Sequence, residues 1–122
     1  MATRSSIAMA TGEGIRSVYV HWDGYPSGVG ATLDLHYQDA DKLTELMDRG
    51  DLSVLAPEIG TENSFDPGKR NEDVCLFYAD RGEESPAVMH QNIGEWLRHR
   101  SGNGCDYGYF WNGERFLHYT IN

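Results

Sequence analysis

Apolar residues alternate near both ends of the chain and recur at helical spacing between them. Residues 5–10 alternate over a length suited to a strand, and Thr11-Gly12-Glu13-Gly14 follows as a glycine turn. In residues 15–22, Val18, Val20 and Trp22 share one face, while Ile15, Ser17, Tyr19 and His21 share the other. Two such runs across a short turn predict a hairpin. A second hairpin is expected at residues 107–121, where two strand-like runs flank Asn112-Gly113, a pair that readily takes the positive φ angles of a tight turn. Residues 73–79 are apolar on both faces, with Val74, Leu76 and Tyr78 on one and Cys75 and Phe77 on the other. That pattern predicts a central strand.

Between these runs the period changes. Leu43, Leu46 and Met47 fall at i, i+3 and i+4 behind Asp39, an N-cap residue, and before Gly50, so a helix is expected at 40–49. Asn92 caps a second helix, 93–100, with Ile93, Trp96 and Leu97 as its apolar stripe. Residues 31–37 predict one or two further helical turns. Residues 23–30, with three glycines and Pro26, are expected to hold no regular structure, and Gly28-Val29-Gly30 reads as a plain turn. Residues 51–69 hold Pro57, Gly60, Pro67 and Gly68 and predict a long surface loop around a small anchor at 52–55. The expected fold is one α+β domain over residues 1–122. About five strands form an antiparallel sheet, and two or three helices cover one face.

Composition narrows the function classes. The chain has 122 residues and a formal net charge of −9, a size suited to one core. Residues 39–84 hold thirteen acids against five bases, which accounts for −8 of that charge. Direct nucleic-acid binding needs a basic stripe that releases counterions from phosphates, and none is present. No apolar run reaches the length of a membrane span, and the first residues lack the apolar core of a signal peptide, so a cytoplasmic protein is expected. Cys75 and Cys105 form no close pair and have no histidine at ligand spacing. Free thiols, no metal and no cofactor are therefore expected.

Three polar clusters carry candidate chemistry: Thr3-Arg4-Ser5, His21-Trp22-Asp23-Gly24-Tyr25-Pro26 and Asp80-Arg81-Gly82-Glu83. All lie at strand ends or in the loops beyond them, where binding groups usually sit. Arg4 and Arg81 offer forked donors for a phosphate or carboxylate, and Trp22 and Tyr25 offer aromatic faces for stacking. A pocket built from Arg4, His21, Trp22, Asp23, Tyr25, Arg81 and Glu83 would take a small phosphorylated or nucleotide-like molecule. The structural reading of the same residues places Trp22 in the core, His21 on a strand backbone and Asp80 against Arg81. A second functional reading makes the 39–84 region an acidic face that docks on a basic site of a host protein or nucleic-acid-handling complex. A third, a small enzyme, needs His21 as base with Asp23 or Glu83 orienting it, and no catalytic motif supports that spacing. Trp111, Phe116 and Tyr119, if exposed on the last hairpin, would suit a homodimer contact.

The stretches Thr3-Arg4-Ser5-Ser6-Ile7, Tyr19-Val20-His21-Trp22-Asp23-Gly24-Tyr25-Pro26, Gly50-Asp51-Leu52-Ser53 and Asp80-Arg81-Gly82-Glu83 resemble those of a family of small uncharacterised proteins found largely in bacteriophages and prophages. The resemblance runs over nearly the whole chain and brings no activity with it. It implies a phage-type accessory protein that works in the bacterial cytoplasm and is dispensable for the virion. Accessory proteins of that kind often interfere with host processes, including antiviral defence, by binding rather than by catalysis.

Overall fold

The computed structural model describes residues 2–122. The chain runs β1 (Ser5–Thr11), β2 (Gly14–Val20), α1 (Ala31–His36), α2 (Ala40–Arg49), β3 (Leu52–Val54), β4 (Leu76–Phe77), β5 (Val88–His90), α3 (Ile93–Gly102), β6 (Tyr107–Trp111) and β7 (Phe116–Thr120). All seven strands join one sheet in the order β4-β3-β2-β1-β6-β7, with β5 also paired to β2. Both expected hairpins form, β1 with β2 and β6 with β7. The sheet is mixed, however, because β1 runs parallel to β6 and β2 runs parallel to β3. A parallel return needs a long crossover. The helices α1 and α2 between β2 and β3 provide one, and residues 52–54, expected to be a loop anchor, are the returning strand.

Helices cover both faces of the sheet, not one. Strand side chains alternate in direction, and the sheet's middle strands are apolar on both sides. Ile7, Met9, Val18, Val20, Tyr109 and Trp111 pack with Leu33 of α1 and with Leu43, Leu46 and Met47 of α2. On the other face, Ala8, Ile15 and Phe110 pack with Trp96 of α3. This second core is smaller and partly polar. The Trp96 indole N–H donates to Ser6 Oγ at 2.9 Å, and Ser6 in turn donates to the Val18 carbonyl at 2.8 Å. Both helix caps form as expected: Asp39 accepts from the Asp41 N–H, and Asn92 accepts from the Glu95 N–H.

Three further expectations are corrected. Residues 73–79 do not form a central strand: β4 is two residues long and lies at the sheet's edge. Leu76, Phe77 and the preceding Cys75 are nevertheless buried, because the preceding loop folds over them, with Cys75 N–H bonded to the Glu58 carbonyl and Glu58 N–H to the Asp73 carbonyl. Residues 26–30 form a single π-helical turn that leads into α1 and buries Val29. Trp111 and Phe116 are core residues, so the last hairpin offers no exposed aromatic surface of the expected kind. Among the described residues, no helix is long and apolar enough to cross a membrane.

Candidate functional site

Beyond its last residue, β2 keeps the ladder with β3: His21 N–H bonds the Leu52 carbonyl and Trp22 N–H bonds the Ser53 carbonyl, both at 3.1 Å. This continuation sets His21 and Trp22 beside Ser53 at the end of the sheet. After β4, the chain makes a 3₁₀ turn, Tyr78–Arg81. Asp80 holds that turn by accepting from the Phe77 N–H at 2.9 Å and facing the Arg49 guanidinium at 3.5 Å. The loop over 57–74 adds Phe65 and Arg70. Together His21, Trp22, Ser53, Phe65, Arg70, Tyr78 and Arg81 line a cleft of about 280 Å³.

Its walls are aromatic and its charge is mainly basic. Phe65 and Tyr78 stack with ring centroids 6.1 Å apart. The Arg81 guanidinium lies over both rings, 4.4 Å from Phe65 and 5.3 Å from Tyr78, an arrangement favourable to a flat cation. Arg81 also pairs with Glu83. Arg70 donates to the Ser64 and Phe65 carbonyls, which ties it to the loop that carries Phe65. Trp22 meets His21 edge-on at 4.7 Å and stays 44% exposed. A tryptophan left open at the mouth of a basic cleft is not a core residue.

His21 is held from the other side. Its Nδ1 lies 2.8 Å from the Tyr19 hydroxyl, whose pKa burial pushes up to about 12. Burial, and after it the charge of Arg4, lowers the pKa of His21. A neutral imidazole that accepts from a phenol keeps its own proton on Nε2. Asp23 accepts from the Tyr25 hydroxyl at 3.2 Å, and Glu83 is taken by Arg81. Neither carboxylate orients His21 as the enzyme reading requires.

The structure thus brings His21, Trp22 and Arg81 together, with Glu83 attached through Arg81. Asp23 and Tyr25 bond each other in their own turn and do not line the cleft. Arg4 does not line it either; its guanidinium lies beside Gly104, so close that a Cβ there would sit 2.6 Å from the Arg4 Nη1. The sequence reading missed Ser53, Phe65, Arg70 and Tyr78. A lone aromatic, Phe65, between polar loop residues and five positions before an arginine was the signal available for two of them. No protein-family model matches this chain, and no curated protein or solved structure matches it either.

Proposed function

We propose that this chain is a non-catalytic binding protein that captures a small phosphorylated or nucleotide-like molecule in the cleft of Trp22, Arg70 and Arg81. One observation carries the reading: an exposed indole stands beside two guanidiniums, one of them held over two stacked rings. An indole face takes a nucleobase by stacking, and a guanidinium fork takes a phosphate by paired charge-assisted hydrogen bonds. The cleft's volume of about 280 Å³ lies just under the usual range for small-molecule sites, so the ligand is held by one end with the rest in solvent. On the family resemblance, the setting is a phage-type accessory protein, for which sequestering a nucleotide-like defence signal needs no chemistry.

The acidic-face reading draws less support. Asp48 pairs with Arg16, Asp80 faces Arg49, Glu83 pairs with Arg81, and Asp51 accepts from Tyr19 and Ser85. Four of the thirteen acids of that segment are thus engaged within the chain, Asp51 and Asp80 most closely. Calorimetric titration with adenosine 5′-monophosphate, beside adenosine, tests the proposal. Each charge-assisted hydrogen bond is worth ~1.5–3 kcal/mol, so Arg81→Ala should weaken binding of the monophosphate ~10–100-fold, while Glu45→Lys and Asp48→Lys should leave it unchanged. Equal affinity of wild type and Arg81→Ala, or no heat from the monophosphate at all, would overturn it.

A further inference from the structure

On the α3 face of the sheet lies a second cavity, adjoining that cleft: Tyr19, which lines it, bonds His21 of the cleft. It is an open pocket of about 380 Å³, lined by Tyr19, Asp51, Val88, His99, Arg100 and Asn103. Arg100 is 3% exposed, and it is the one buried residue with a permanent charge among those described. Its guanidinium donates to Ser17 Oγ from Nε at 3.2 Å and from Nη2 at 2.9 Å, to the Ser17 carbonyl at 3.2 Å, and to Asn103 Oδ1 at 3.0 Å. All of these partners are neutral. Among the described residues, no carboxylate comes within 4 Å of it. A buried charge is ordinarily paired, because neutral hydrogen bonds do not replace the hydration it loses.

The surroundings supply opposite charge only at longer range, from Asp51 of the same cavity, and no direct ion pair. His90 bonds the same Ser17 hydroxyl at 2.7 Å and packs edge-on against His99, with ring centroids 5.1 Å apart; both are basic side chains. The carbonyls of the last turn of α3 offset part of the charge, but those of His99, Arg100 and Ser101 already accept backbone N–H groups. Asp51 also lines the cavity, and its two oxygens accept from the Tyr19 N–H at 2.8 Å and the Ser85 hydroxyl at 2.5 Å.

We infer that this cavity is a second ligand site, with its own lining residues beside the cleft, for a small molecule whose anionic head, carboxylate or phosphate, becomes the counterion of Arg100. His99 and Asn103 flank that head at the rim. Val88 and the Tyr19 ring contact the body of the ligand. A hydroxyl or amine next to the anionic head would meet the free lone pairs of Asp51, so a hydroxycarboxylate should bind better than a plain carboxylate.

The test is a ¹⁵N-resolved NMR titration of the whole chain in anion-poor buffer with inorganic phosphate, acetate and glycolate, separately. At least one of the three should shift the Arg100 Nε–H and the backbone signals of His99 and Asn103 saturably in the low-millimolar range; which one saturates identifies the head group, with glycolate ahead of acetate if it is a carboxylate. The shifts should persist in Arg81→Ala, weaken severalfold in His99→Ala, and vanish in Arg100→Met. Phosphate or glycolate should raise the melting temperature of the wild type and not that of Arg100→Met. If Arg100→Met does not fold, the wild-type and His99→Ala titrations decide. Linear, unsaturating shifts with all three anions, or identical titrations in wild type and His99→Ala, would overturn the inference.

Discussion

His90 shows how one buried side chain links this fold to pH. It is 6% exposed, bonds Ser17 through Nε2, and faces the cation of Arg100. Burial first, and then the charges of Arg100 and His99, lower its pKa to about 4. The unfolded chain restores the ordinary value near ~6.5, so between those two values the unfolded state binds more protons than the folded one. Stability that is full above ~6.5 is therefore lost as pH falls towards 4. A shift of this size sets an upper limit of roughly 3 kcal/mol, which solvent screening around the ring reduces. Urea unfolding at pH 7.5 and pH 4.5 should show a steeper loss in wild type than in His90→Gln, which keeps a polar partner for Ser17 but does not titrate. Parallel losses would mean that His90 is not the group responsible.

Several residues in the stretches 19–26 and 50–53 are joints between elements. Gly50 ends α2 at φ 88°, and a Cβ on it would sit 2.4 Å from the Ser85 carbonyl oxygen. The next residue, Asp51, bonds that segment twice more, by its N–H to the Ser85 carbonyl and its carboxylate to the Ser85 hydroxyl, and it also accepts from the Tyr19 N–H of β2. Gly24 is equally confined, with Thr3, Arg4 and Ser5 all within 3 Å of where its Cβ would be. Gly50→Ala should therefore cost more than the ~1 kcal/mol typical of a surface change at a cap, about 2–4 kcal/mol by the backbone strain and the steric overlap together. Chemical denaturation measures it, and a cost below 1 kcal/mol would show that β3 and the 83–87 segment can separate freely.

Elements with local signals were legible in the sequence. Asp39 and Asn92 mark helix starts by bonding N–H groups two and three residues on, and Asn112-Gly113 marks a hairpin by its own backbone preference. The strands β3 and β5 are three residues each, too short to show any period, and their pairing with β2 comes from residues more than thirty positions away. The end of the sheet followed from the same logic. His21, Trp22 and Arg81 could be selected by residue type at strand ends, whereas Phe65 and Arg70 reach the cleft only because Asn63 folds their loop, accepting from the Ser64 and Asn71 N–H groups and donating to the Asn71 and Val74 carbonyls.

At the scale of the molecule, the two faces of the sheet differ in kind. The α1–α2 face is a broad apolar core, fully closed around Tyr37, whose hydroxyl donates to the Ala56 carbonyl at 2.6 Å. The α3 face is thin and polar, with Ser6, Ser17, His90 and Arg100 buried beside Trp96. The two candidate ligand openings lie on the second face and at the sheet's end. The chain is strongly acidic, yet the cleft there presents Arg70 and Arg81 with Glu83 as the nearby acid, so its attraction for an anion is local and should weaken as salt rises.

Trp22 offers the most direct measurement, because it is the exposed indole while Trp96 and Trp111 are buried. Indole N–H signals followed by NMR during titration with adenosine 5′-monophosphate should show Trp22 shifting saturably together with the Arg81 and Arg70 side-chain N–H groups, while Trp96 and Trp111 stay fixed. A Trp22 signal that does not move, or one that moves with adenosine alone while Arg81 and Arg70 remain still, would contradict the cleft as a site for a phosphorylated ligand.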